Sequence, residues 1–240
     1  MLCASLFAHA ERESHGRYAE CRHLFHQPEP AGGGAYLSVL EGLRVTVSIS
    51  VQGLLLGTLV GAVLCWLRIS KIPILSSLAQ CVVVVLRGSP VLLLLMLLYY
   101  VVFAGSRVDP VGIAVLAFAL NSGAHIAELM RSALEAVDKR QLEAARMLGF
   151  SRAKAFVAIT LPQAGKIAKP VYQGTIVNTI QWTSVVGYVA ITDLTRTVNN
   201  IGNRTGDPFF SLFCGVMIYL GLSYLVHALF SISGGRAEER

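Results

Sequence analysis

Five stretches of this chain run for bilayer-spanning lengths without a single Asp, Glu, Lys or Arg: Val45–Leu67, Gly88–Ser106, Pro110–Ala127, Pro170–Thr192 and Pro208–Gly235. Each is close to or above the roughly 18–20 residues that a helix needs to cross about 30 Å of hydrocarbon. A helix in a water-soluble core is seldom so long without one polar face. Only 14% of the 240 residues are charged, against about a quarter in a soluble domain. The expectation is an all-α polytopic membrane protein with about five transmembrane helices. A sixth run, Ile72–Leu86, is apolar but short, about 22 Å as a helix. It reads as an interfacial helix or as an extension leading into the second span, and the count becomes six if it crosses alone.

Charge orients these spans. Residues 131–169, between the third and fourth spans, hold Arg131, Lys139, Arg140, Arg146, Arg152, Lys154, Lys166 and Lys169, partly offset by Glu135, Asp138 and Glu143. Basic loops stay in the cytoplasm. Five spans then put the N-terminus outside and the C-terminal residues 236–240 inside, with Arg68 and Lys71 cytoplasmic as well. The net charge of +6 thus follows membrane topology. No soluble domain is left to carry a nucleic-acid-binding face.

Residues 1–35 mix Glu, Arg and His with "PEPAGGGA" and contain no long apolar run. They read as a disordered tail, lacking the basic start and apolar core of a signal peptide. Cys21, His23 and His26 have a spacing that could ligate a metal, but they read as incidental residues of a flexible tail, and no metal site is expected. The membrane-embedded body is therefore expected over 36–235. Cys65, Cys81 and Cys214 lie in or near apolar runs, where cysteine acts as a small hydrophobe. No internal repeat divides the chain into the matching halves of an inverted-repeat transporter.

Within the spans, Gly53, Gly57 and Gly61 stack on one helix face and invite close approach of another helix. In "LRGSPVLLLL", residues 86–95, Ser89 suits a helix cap and Pro90 a first helical position. Arg87 is then an interfacial anchor or a contact to a neighbouring cytoplasmic loop. Asn121, His125 and Glu128 fall at i, i+4 and i+7, on one face of the third span. Such groups should face protein or water, so they either satisfy a helix–helix contact or line a translocation path. One histidine and one carboxylate are too few for a metal site. The fourth span is the most polar. Thr175, Asn178, Gln181 and Ser184 recur every third residue, a slowly winding stripe that reads as the lining of an aqueous pathway. Trp182 beside it can stack on a substrate or simply pack.

The cytoplasmic segment "EAARMLGFSRAKAFVAITLP", residues 143–162, is punctuated differently. Helix formers from Glu143 to Leu148 run up to Gly149, which fits a C-terminal glycine cap. Ser151 can cap a second helix that should end before Pro162. The result is a helix, an elbow and a second helix, with a small alanine surface beside Glu143. That shape suits insertion into the cleft of a partner.

These residues resemble the signature loop of ABC-transporter permease subunits: Glu143, Ala144 and Ala145, three residues, Gly149, nine residues, then Ile159, any residue, Leu161 and Pro162. "RGSP" at 87–90, "GAHIAELMRSAL" at 123–134, "LPQA" at 161–164 and "TSVVGYVAITDL" at 183–194 are similar to motifs of the polar amino-acid uptake group. The resemblance covers roughly 36–231. It implies the permease fold of type I importers, with a cytoplasmic coupling helix, in the bacterial inner membrane. It also implies partners: a cytoplasmic ATPase dimer on the signature loops, a second permease, identical or homologous, and an external amino-acid-binding protein. The chain has no GxxxxGK[ST] phosphate loop, so ATP hydrolysis is expected in the separate ATPase, and no cofactor is expected here. Three positions depart from the group: His125 stands for a tyrosine, Arg140 for a glycine and Gln181-Trp182 for a Lys-Asp pair. The last departure leaves room for a non-conducting scaffold or regulatory homologue that keeps ATPase docking.

Overall fold

The three glycines of the first span decide the centre of the fold. A computed structural model describes residues 35–205 and 208–234. The expected N-terminal tail, its Cys21/His23/His26 set and the C-terminal tail lie outside the described residues. Helix α1 is Ala35–Ile69, and α4 is Pro110–Glu135. A Cβ added to Gly53 would stand 3.0 Å from Phe118 Cβ, and one on Gly61 would stand 2.8 Å from Gly123 O. One on Gly57 would overlap Ser122 Oγ. The two backbones thus meet with nothing between them, and Ser122 Oγ donates to Phe118 O at 2.6 Å. In a bilayer, where apolar burial drives little, such close packing is what holds helices together.

The partners ascend together: Gly53 with Phe118, Gly57 with Ser122, Gly61 with Gly123, and Arg68 with Glu128. Helices α1 and α4 therefore run parallel, and residues 70–109 must return across the layer between them. The return has two parts. Helix α2, Pro73–Gly88, lies against the C-terminal half of α1 and of α4, where its Val83 packs with Cys65, Ala124 and Ala127. After a bend of 105°, α3, Val91–Leu97, continues through a π turn, Leu98–Val102. Ser89 does not cap α3. Its hydroxyl donates back to Val85 O at 2.7 Å, and Pro90 takes the N-cap position with ψ 130°. The cause is steric, because the residue before a proline is pushed out of the helical region. Ser89 accordingly has φ −86° and ψ 130°.

The core joins Ile49 of α1, Leu95 and Leu98 of the return, Phe118 of α4, and Val186 and Val189 from the segment after the fourth span. By length and hydropathy three helices can each cross a membrane alone, Tyr36–Ile69, Pro110–Glu135 and Pro208–Ile232, and the bent pair of α2 and α3 can form a fourth span.

The expected fourth span, Pro170–Thr192, is assembled otherwise. Helix α7 begins at Leu161, passes through Pro170 and stops at Trp182. A 3₁₀ segment, Thr183–Val189, follows and ends at Ala190 in the left-handed region, φ 63°. Pro170 costs α7 one backbone bond and does not start it. The helix expected to end before Pro162 also runs on: α6, Arg152–Ala155, passes through a π turn, Phe156–Thr160, directly into α7. A π turn shifts the hydrogen-bond register, so the missing N–H of Pro162 falls in the first turn of α7, where no donor is needed.

Two further helices close the fold. In α8, Leu194–Thr205, Asp193 is the cap: its carboxylate accepts from the N–H of Thr195 and of Arg196, both at 3.0 Å. Asp193 is fully buried, and burial pushes its carboxyl up against the pull of these bonds. Helix α9, Pro208–Gly234, pairs antiparallel with α7 through Gln173–His227 at 2.6 Å and through Lys169 over Phe230.

Candidate coupling surface and translocation path

The elbow at 143–162 is built by its caps. Helix α5, Lys139–Met147, starts on Asp138, whose carboxylate accepts from Arg140 N–H at 2.9 Å. It ends as the chain expects: Leu148 N–H donates to Ala144 O and Phe150 N–H to Ala145 O, both at 3.1 Å. Gly149 sits between them at φ +85° with open space around its Cα. That backbone region is the one glycine enters without strain. Ser151 accepts from Lys154 N–H at 3.3 Å and opens α6.

The elbow carries its apolar residues outward. Met147 is 90% and Leu148 79% exposed. Glu143 and Ala144 are exposed as well, while Ala145 is buried against the second arm together with Ala155. Ile159, half-buried, and Leu161 and Pro162, exposed, lie where the second arm turns into α7. The two arms are tied by Gln163 Nε2, which donates to Gln141 Oε1 at 2.6 Å. Lys154 lies over the Phe150 ring at 4.9 Å.

The residues expected on a path separate into three groups. Asn121 is buried and donates to Leu86 O at 3.0 Å, which fastens the end of α2 to α4. Glu128 is the hub of an ion cluster: Arg68 lies at 2.5 Å, Arg131 at 2.6 Å and Arg87 at 3.4 Å, and Arg131 also reaches Glu135 at 2.5 Å. Arg87 therefore meets α4 itself. His125, between them, is half-buried with its ring 5.6 Å from that of Trp182, tilted by 39°.

The stripe on the fourth span does not stay on one face. Thr175 is buried and donates to Val171 O, whereas Asn178 and Gln181 are exposed and Ser184 is half-buried. A three-residue repeat falls about 60° short of a full turn at each step, so Thr175 winds away from Asn178 and Gln181. Thr179, absent from the stripe, is fully buried in its place and donates to Thr175 O at 2.8 Å.

Sequence spacing does not reveal two of these relationships. The Arg131–Glu128 pair is visible as i,i+3 on one helix, but Arg68 is 60 residues from its partner. The ring contact of His125 with Trp182 joins α4 to α7 and has no local signature. The exposed tip residues Met147 and Leu148 did have one, since they immediately precede the capping glycine.

Residues 39–238 match the family model of the binding-protein-dependent transport system inner membrane component. The chain is 32% identical over 182 residues to the probable amino-acid ABC transporter permease protein YckA of Bacillus subtilis (strain 168), covering 75% of this chain and 80% of that one. It is 31% identical over 204 residues to the arginine transport system permease protein ArtQ of the same organism, covering 84% and 91%. Among solved structures, the fold is similar to a chain of an amino acid ABC transporter crystallised with histidines, with TM-score 0.77, 28% identity and coverage of 84% and 94%. A chain of the MetNI methionine transporter shares the fold at TM-score 0.66 and 18% identity, covering 85% and 96%. With the match running through the elbow, the ion cluster and the polar helix alike, this chain belongs to the family of inner membrane components of binding-protein-dependent ABC transport systems.

Proposed function

We propose that the chain is the permease subunit of an ATP-driven importer for polar amino acids, and that the elbow at 143–162 couples it to a cytoplasmic ATPase. The observation that carries this reading is the tip itself. A glycine at φ +85° holds two apolar side chains, Met147 and Leu148, almost wholly in water at the end of a charged helix. Such exposure costs solubility and packing unless a partner covers it.

Hydrolysis belongs to that partner, a pair of ATPase subunits. A second permease, identical or homologous, completes the pathway, and an external binding protein delivers the amino acid. Closure of the ATPase pair draws the docked elbows together and biases a two-state permease from inward-facing to outward-facing. The names of the relatives, which include arginine, glutamine and cystine permeases, support an amino-acid cargo. Five crossings fit the directions of the helices: α1, α4 and α9 inward, the α2–α3 return and α7 outward. The basic segment 131–169 supports placing the elbow in the cytoplasm, the N-terminus outside and the C-terminus inside.

The test is co-purification of the ATPase with Gly149→Val and with Glu143→Lys, measured alongside amino-acid uptake. A β-branched residue at that φ is strained by about 1–3 kcal/mol, so Gly149→Val misaims the tip without touching the membrane helices. Both variants are expected to insert normally, lose the ATPase and lose uptake. Full retention of ATPase and transport in both variants overturns the assignment.

A further inference from the structure

The charges that α4 and α7 offer to a passing solute restrict its chemistry. Among the described residues, the helices α1, α4, α7 and α9 contain three carboxylates: Glu41, Glu128 and Glu135. Glu128 is held by Arg68, Arg131 and Arg87, and Glu135 by Arg131. Glu41 lies at the far end of α1 from Arg68, next to Gly42, whose Cα packs on Thr197 and Asp193 O. No described acid in these helices is both close to the exposed face of α7 and without a cation of its own.

That face is neutral and planar. Asn178 and Gln181 present amides to the outside of the fold. Trp182 follows one residue later and, as i+4 from Asn178, shares its side of the helix. His125 extends the surface by placing its ring 5.6 Å from that of Trp182.

Resting on the permease reading above, we propose that His125, Trp182, Asn178 and Gln181 form a specificity-determining platform for amino acids whose side chain is neutral and planar, an amide or an aromatic ring, and that the platform rejects a cationic side chain. The α-amino and α-carboxylate groups are common to all candidates and do not discriminate. A flat amide or ring stacks on Trp182 and exchanges hydrogen bonds with Asn178 and Gln181. A guanidinium or ammonium group entering the same place leaves water for a surface to which the described helices bring no unpaired anion. Moving an ion out of water without a counter-charge is the costliest step available to it.

The chain has two tryptophans, Trp66 and Trp182. Trp66 is 69% exposed on α1, so Trp66→Phe leaves Trp182 as the sole indole reporter in the permease. The experiment uses the permease–ATPase complex in lipid nanodiscs without a binding protein, whose own selectivity would mask the platform. So that no tryptophan of the ATPase contributes a signal, 5-fluorotryptophan is incorporated into the permease alone, and the complex is assembled from separately prepared subunits. Glutamine, phenylalanine and arginine are titrated against the fluorine resonance of Trp182.

Glutamine and phenylalanine are expected to shift the resonance saturably, with arginine at least about tenfold weaker, or about 1.4 kcal/mol. Trp182→Asp, followed by uptake, is expected to raise arginine transport relative to glutamine by at least about tenfold. Arginine binding as tight as glutamine, or no resonance shift with any of the three while the same complex transports amino acids in proteoliposomes supplied with a binding protein, overturns the platform and leaves the permease reading intact. An unmodified permease that neither retains the ATPase nor supports uptake in those proteoliposomes overturns the permease reading instead.

Discussion

Arg68, one residue from the end of α1, donates to Glu128 of α4 at 2.5 Å, and its side chain is only 10% exposed. The pair closes the Arg68 end of the parallel helix couple whose middle is closed by glycines. Glu128 is also an acid for Arg131 and Arg87, so one carboxylate meets three cations, of which Arg131 has Glu135 as a second partner. Removing one member of a buried pair leaves its partner's charge unpaired, at about 3–5 kcal/mol. Glu128 is partly exposed, with a side chain at 22%, and solvent screens part of that cost. Glu128→Gln is expected to destabilise the folded permease by about 1–3 kcal/mol, read as a lower melting midpoint in detergent. Arg87→Gln, at 41% exposure and 3.4 Å, should cost less than about 1 kcal/mol.

At the glycine seam the expected sign is steric. Gly57→Val places a branched side chain where Ser122 Oγ already lies and where Ala119 O is 3.1 Å from even a Cβ. Overpacking a fitted interface costs about 1–3 kcal/mol. Gly221→Ala, where the added Cβ meets nothing within 4 Å, is the control and should leave the midpoint unchanged. Equal midpoints for the two variants would show that the seam tolerates separation.

The apolar tip separates docking from stability. Met147→Ser and Leu148→Ser remove side chains that are 90% and 79% exposed. Exposed substitutions of this kind usually change stability by no more than about 0.5 kcal/mol. The double variant is expected to melt with the parent yet retain the ATPase at least about tenfold more weakly, measured by pull-down at graded concentration. Unchanged retention would remove the tip from the docking surface.

The winding stripe makes a contrast within one helix. Asn178→Leu and Gln181→Leu change exposed polar groups and should lower uptake while the ATPase stays bound. Thr175→Val deletes a buried hydroxyl bonded to Val171 O at 3.1 Å. It should cost about 1 kcal/mol of stability and leave the transport rate of the surviving protein unchanged. Normal uptake by both leucine variants would make the amides packing groups for a partner helix.

Orientation can be read by labelling in a background from which the native cysteines have been removed. Ser106→Cys, in the turn before α4, should react with an impermeant maleimide from outside intact cells. Ser151→Cys, at the elbow, should react only after the membrane is opened. The reverse pattern would invert the topology.

Much of this architecture was set locally and could be read along the chain. The uncharged runs give α1, α4 and α9 because a long apolar segment in lipid must satisfy its own backbone, and a helix does so within the segment. The elbow was equally legible: Gly149 and Ser151 cap their helices through bonds to residues three or four away, and such bonds depend on nearby sequence alone. The register of Gly53, Gly57 and Gly61 announced a close approach, though not the helix they approach. What only the tertiary structure decided involves groups far apart in the chain. The start of α7 at Leu161 depends on a π turn absorbing Pro162. Leu86 and Arg87, just before the 105° bend at Ser89–Pro90, are held by Asn121 and Glu128 of α4. Arg68 finds Glu128, and His125 finds Trp182, because α1, α4 and α7 pack side by side. Periodicity reports which residues share a face of one helix, but only the packing of helices determines what that face meets. For that reason the same polar stripe holds Thr175 in the interior and leaves Asn178 and Gln181 on the surface.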